Sequence, residues 1–69
     1  MSFEQTLKEL NTFIESTLVD AEIFFALGDA SYENDGDQEL REYYYAHACE
    51  SISRVRKREE MAQTIRSML

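Results

Sequence analysis

A chain of 69 residues is long enough for one small domain, and at that size a single apolar core seldom yields more than about 3–5 kcal/mol unaided. One cysteine, Cys49, and one histidine, His47, exclude an internal disulfide and a four-ligand zinc site within one chain, leaving oligomerisation or a bound partner as the staple. A net charge of −7, with 43% hydrophobic and 30% charged residues, describes an acidic globular protein and argues against general nucleic-acid binding.

No apolar run approaches the roughly 20 residues needed to span a bilayer, so no membrane partner is expected. Met1–Glu15 lacks a basic segment followed by an apolar one, and with the free cysteine this favours a cytoplasmic address. The charge is uneven. Residues 1–53 hold 12 of the 14 acids with only Lys8 and Arg41 as bases, whereas residues 54–69 carry Arg54, Arg56, Lys57, Arg58 and Arg66 against Glu59 and Glu60.

Proline is absent and the two glycines are Gly28 and Gly36, a pattern for long helices interrupted once near the middle. Ser2 and Gln5 have capping-box spacing, which predicts a helix opening at Phe3 and running to about residue 30. At 100° per residue Phe3, Leu7, Leu10, Ile14, Leu18, Ala21 and Phe25 share one face, widened by Phe13, Thr17 and Phe24. The second half of this helix carries another apolar stripe, Val19, Ile23, Ala26, Leu27 and Ala30, away from the first. A helix apolar on two sides is normally covered on two sides, and a hairpin covers only one.

Residues 31–37 read as an acidic turn, with Asp35-Gly36 supplying the tight backbone and Asp37 the cap of a second helix over 38–68. The apolar face of that helix is Leu40, Tyr44, Ala48, Ile52, Val55, Ala62, Ile65 and Leu69, with Tyr45 and Cys49 at its edge and Glu59 interrupting it. Its drift follows a 3.5-residue repeat, as in four-helix bundles. The expected fold is therefore all-α: a single-domain antiparallel helical hairpin over 1–69, dimerising into a four-helix-bundle-like assembly.

Four local patterns bear on chemistry. From Ser31 to Glu42 the acids Glu33, Asp35 and Glu42 and the glycine Gly36 fall at positions 3, 5, 12 and 6 of a calcium-binding loop, with Asp37 between them. Ser31 at position 1 and Gln38 at position 8 depart from that pattern, and a solvated acidic turn is the plainer reading. His47 and Glu50 share a face but lack a second Glu-x-x-His element to complete a di-metal site. Tyr43, Tyr44 and Tyr45 point in three directions, Tyr44 and Tyr45 inward and Tyr43 outward on the side of Met61 and Met68, where tyrosine and methionine serve as interface anchors. Arg54 and Arg58 share a face that Arg56 and Lys57 do not, which suits solvated charge better than a phosphate-binding stripe.

The helix–acidic turn–helix layout resembles plasmid copy-number RNA-binding hairpins that dimerise into four-helix bundles, and it is also similar to the hairpin chaperones of type III secretion needles. Both likenesses cover most of the chain and rest on layout, so they imply a fold and not a function. The RNA-binding family uses a basic first helix where this chain has Lys8 alone; the chaperone echo is confined to Ala48–Ile52.

No nucleophile–base pair, phosphate loop or paired carboxylate set is present in the sequence, so no catalysis, cofactor or small-molecule substrate is expected. The expected function is that of a protein-binding regulator (an adaptor, chaperone or inhibitor, of a size common among phage- and mobile-element-borne inhibitors). It would act by occupying a partner's surface through Val19, Ile23, Ala26, Leu27, Ala30 and Tyr43–Tyr45. A homodimer, a partner protein or both are the expected company. The alternatives are a nucleic-acid-linked regulator, using the 54–58 basic cluster or acidic mimicry, and a calcium-binding helix-loop-helix.

Overall fold

The computed structural model describes residues 2–69, which form two helices, α1 (Phe3–Asp35) and α2 (Gln38–Met68), folded back on each other as an antiparallel hairpin. The molecule is a rod of 51 × 14 × 13 Å, which is the length of a 33-residue helix at about 1.5 Å per residue. No described helix is long and apolar enough to cross a membrane.

Each helix end has a stated cause. Ser2 caps α1, its hydroxyl accepting from the Gln5 amide at 3.1 Å. The return half of the expected capping box is replaced by a bond from Gln5 Nε2 to Glu9 Oε1 at 3.2 Å. Gly36 ends α1 in the left-handed region, φ 65°, with its N–H donating to the Tyr32 carbonyl at 2.8 Å, a conformation that glycine adopts without a Cβ penalty. Asp37 then caps α2 by accepting from the Leu40 amide at 2.9 Å.

The connection is therefore two residues, Gly36 and Asp37, and not the seven-residue turn that composition suggested. Residues 31–35 are helical because the reversal needs only one left-handed residue and the next cap follows at once. The Arg41 guanidinium lies 4.0 Å from the Tyr32 ring centroid and ties the last turn of α1 to the first turn of α2.

The seam between the helices has an uninterrupted four–three spacing on both sides. From α1 it takes Leu7, Leu10, Ile14, Thr17, Ala21, Phe24, Gly28 and Ser31; from α2 it takes Arg41, Tyr44, Ala48, Ser51, Val55, Arg58, Ala62 and Ile65. All are buried or half-buried, and the regular 3.5-residue period is that of a coiled coil. The deeply buried positions are small: Ala48, Ala62, Val55 and Ala21 are at most 3% exposed, with Thr17, Ser51 and Gly28 also buried. Among the described residues no large side chain is fully buried.

Gly28 shows how close the backbones come. A Cβ there would lie 2.9 Å from Tyr45 Cδ1 and 3.2 Å from the Arg41 carbonyl oxygen. Glycine mid-helix costs roughly 1 kcal/mol in propensity, and here it makes room for the tyrosine ring.

This seam corrects the expected inner faces. Leu18, expected inside, is 42% exposed, and Phe3 is 48% exposed. Ser51, expected nowhere, is buried. Glu59 does not interrupt the α2 face, because the seam position is Arg58, whose guanidinium sits 4.3 Å from the Phe13 ring centroid. Leu69 and Cys49, assigned to the face and its edge, are exposed.

Candidate functional site

With the seam filled by small residues, much of the bulky apolar surface stays outside. Val19 is 54% exposed, Ile23 51% and Leu27 43%, and Ala26 and Ala30 are exposed beside them. At 100° per residue Val19, Ile23, Ala26 and Ala30 lie on the side of α1 turned away from α2, and Leu27 lies on its flank. They are not a random scatter. Thr12, Ser16, Val19, Ile23, Ala26 and Ala30 repeat at steps of four and three, so α1 carries a second coiled-coil register opposite the one that α2 occupies.

The stripe continues onto α2 across one flank of the hairpin. Leu27 is one turn from both Ile23 and Phe24 on α1, where residues three or four apart are neighbours. The Phe24 ring stacks on His47 with centroids 5.4 Å apart and lies 6.3 Å from Tyr44. Tyr43, 57% exposed, meets His47 edge-on at 4.6 Å and Tyr44 at 5.5 Å. Val19, Ile23, Leu27, Phe24, His47 and Tyr43 thus form one contiguous apolar and aromatic path from the outer face to the flank.

The tyrosine triplet divides as its spacing requires. Tyr43 and Tyr44 belong to this flank. Tyr45 lies on the other side of the seam, with its ring edge-on to Phe25 at 5.2 Å and its hydroxyl donating to Asp29 Oδ1. The structure therefore brings together all the expected partner-binding residues except Tyr45, and adds Phe24 and His47 to them. His47 lies at a rim position that sequence spacing presents as a surface residue, and only the facing Phe24 reveals its place in the path.

Hydrogen bonding to Asp29, then burial and the Asp29 charge, hold the Tyr45 hydroxyl above the ordinary tyrosine value of 10.0, with Arg41 opposing. The raised value favours the neutral phenol in the folded state. The contact is fully present below about pH 10 and is lost as pH rises through the folded-state value. The tyrosinate absorbance difference between the wild type and Tyr45→Phe is expected to titrate above pH 10, and Asp29→Asn to bring it down. An unchanged midpoint in Asp29→Asn would show that the bond does not govern the shift.

The remaining candidates are dispersed. Arg54 pairs with Glu50 on its own helix at 2.7 Å, and Arg58 is engaged with Phe13. Arg56 and Lys57 follow Arg54 by two and three residues, about 200° and 300° of rotation, so the four cations do not form a single basic face.

The candidate calcium-loop residues are split between the two helices and the link. Ser31–Asp35 belongs to α1, so the twelve-residue loop that would gather Glu33, Asp35, Asp37 and Glu42 does not form. Asp37 instead caps α2, and Glu42 accepts from Gln38 Nε2 at 3.0 Å. Among the described residues no three His, Cys, Asp or Glu side chains are grouped to hold a metal ion.

No family model, curated protein or solved structure matches the chain.

Proposed function

We propose that this chain is a small protein-binding regulator that acts by docking its outer α1 face and the adjoining Phe24–His47–Tyr43 flank against a partner protein. The observation that carries the reading is the second four–three register of α1, exposed while the hairpin's own seam is complete without it. Val19 and Ile23 along that register, and Leu27 on its flank, are each 43–54% exposed. A contiguous apolar stripe left exposed marks an association site in many proteins.

The action is steric, because the face presents apolar and aromatic side chains and no reactive constellation. Affinity-tagged chain and its Val19→Glu/Ile23→Glu variant, compared by mass spectrometry after capture from the native cell, test the reading. A partner retained by the wild type and lost by the variant supports it. An identical set of captured proteins sinks it.

A further inference from the structure

The outer register of α1 has flanks, and their charges specify the occupant. The residues immediately preceding its positions Ser16, Ile23 and Ala30 are Glu15, Glu22 and Asp29, an acidic row at seven-residue spacing. The opposite flank is Phe13, Asp20 and Leu27. Across α1 the acids are Glu4, Glu9, Glu15, Asp20, Glu22, Asp29, Glu33 and Asp35, against Lys8 alone. Among the described residues the one salt bridge is Arg54–Glu50 on α2, so no cation of the hairpin neutralises the acidic row.

In two-helix packing, flank residues meet the flanks of the partner helix and select it by charge. A second copy docked antiparallel brings Glu15 against Asp29 and Glu22 against itself; docked parallel, it brings Glu15 against Asp20. Like charges so placed oppose pairing. A helix with lysine or arginine at seven-residue spacing meets the same row with opposite charge. From Thr12 to Ala30 the register runs for about 27 Å, which matches a partner helix of five turns.

We infer that the outer face of α1 is a docking seam for a basic amphipathic helix of another protein, and not for a second copy of this chain. The inference rests on the protein-binding reading above and names the chemistry of the partner. The partner helix presents isoleucine, leucine or alanine at four–three spacing and lysine or arginine along the flank that meets Glu15, Glu22 and Asp29.

The test uses the full chain and three synthetic helical peptides of about five turns. They share the apolar positions and carry lysine, glutamine or glutamate on the flanks. Binding is followed by fluorescence anisotropy at low and high salt, and sedimentation equilibrium gives the state of the chain alone. The lysine peptide is expected to bind at least about tenfold tighter than the glutamate peptide, with the difference shrinking in high salt. Glu15→Lys/Glu22→Lys is expected to reverse the order.

Ile23→Glu is expected to abolish binding of the lysine peptide, although it adds an acid that non-specific attraction would favour. Equal binding of all three peptides through Ile23 overturns the basic-partner inference and leaves the docking reading standing. No peptide binding, or a dimer of the chain that Ile23→Glu dissociates, overturns the inference of a foreign helix on this face. The capture experiment then decides the docking reading separately.

Discussion

Replacing Ala48 by leucine is expected to lower stability by about 2 kcal/mol, or roughly 8–16 °C in the melting temperature of a chain this size. Ala48 has no exposed surface and sits at a seam position between two backbones brought close by Ala21 and Gly28. A leucine has nowhere to go unless the helices part, and parting them removes contacts along the seam. The two-residue link at Gly36 and Asp37 leaves little freedom to slide into another register. Thermal unfolding followed by circular dichroism measures the effect, and a variant that melts at or above the wild-type temperature would show that the seam is loosely packed. Against a total of about 3–5 kcal/mol the loss is large.

The second large effect comes from opposite faces of one helix. Leu10→Ala is expected to cost about 2–3 kcal/mol, the lower part of the range for buried leucine because the seam is two helices deep and open at its rims. Ile23→Ala, a comparable deletion, is expected to change stability by less than about 0.5 kcal/mol. Leu10 is 9% exposed and Ile23 51% exposed. Urea unfolding of the two variants makes the comparison. Equal losses would mean that Ile23 is covered in solution, which would place the occupant of the outer face in the purified protein itself. In that event the melting temperature would also depend on protein concentration.

The capture and peptide experiments address the same face through binding, so stability and recognition separate cleanly by residue. Seam substitutions act on folding. Outer-face substitutions are expected to act on association and to leave the hairpin intact.

Much of this arrangement is legible in the residues. The absence of proline, the Ser2 cap, the Asp37 cap and Gly36 define two long helices and the point of reversal. The double apolar character of Val19–Ala30 is readable from angles alone, and the structure places those residues where a second chain could reach them. The turn was misread because Tyr32, Glu33 and Asn34 are polar or acidic in a stretch ending in Asp-Gly, a composition that fits a loop and an exposed helical turn equally. The tyrosine triplet could be divided into inward and outward members, but not into opposite flanks of the seam.

Sequence by itself determined the helices, their caps, the antiparallel hairpin and the surplus of apolar surface on α1, since these follow from local propensity, capping chemistry and the angular period of a helix. Only the tertiary structure decided the exact seam within the inner face of α1, which leaves out Phe3 and Leu18 and takes in Gly28 and Ser31. Hydrophobicity ranks Leu18 above Thr17, Ala21 and Gly28, and would bury it first. The hairpin buries Thr17, Ala21 and Gly28 because Gly28 makes room for the Tyr45 ring and because small residues let the two backbones approach closely. That fit is a relation between two helices, so no pattern along either one contains it, and its consequence is the exposed face on which the protein's function is proposed to rest.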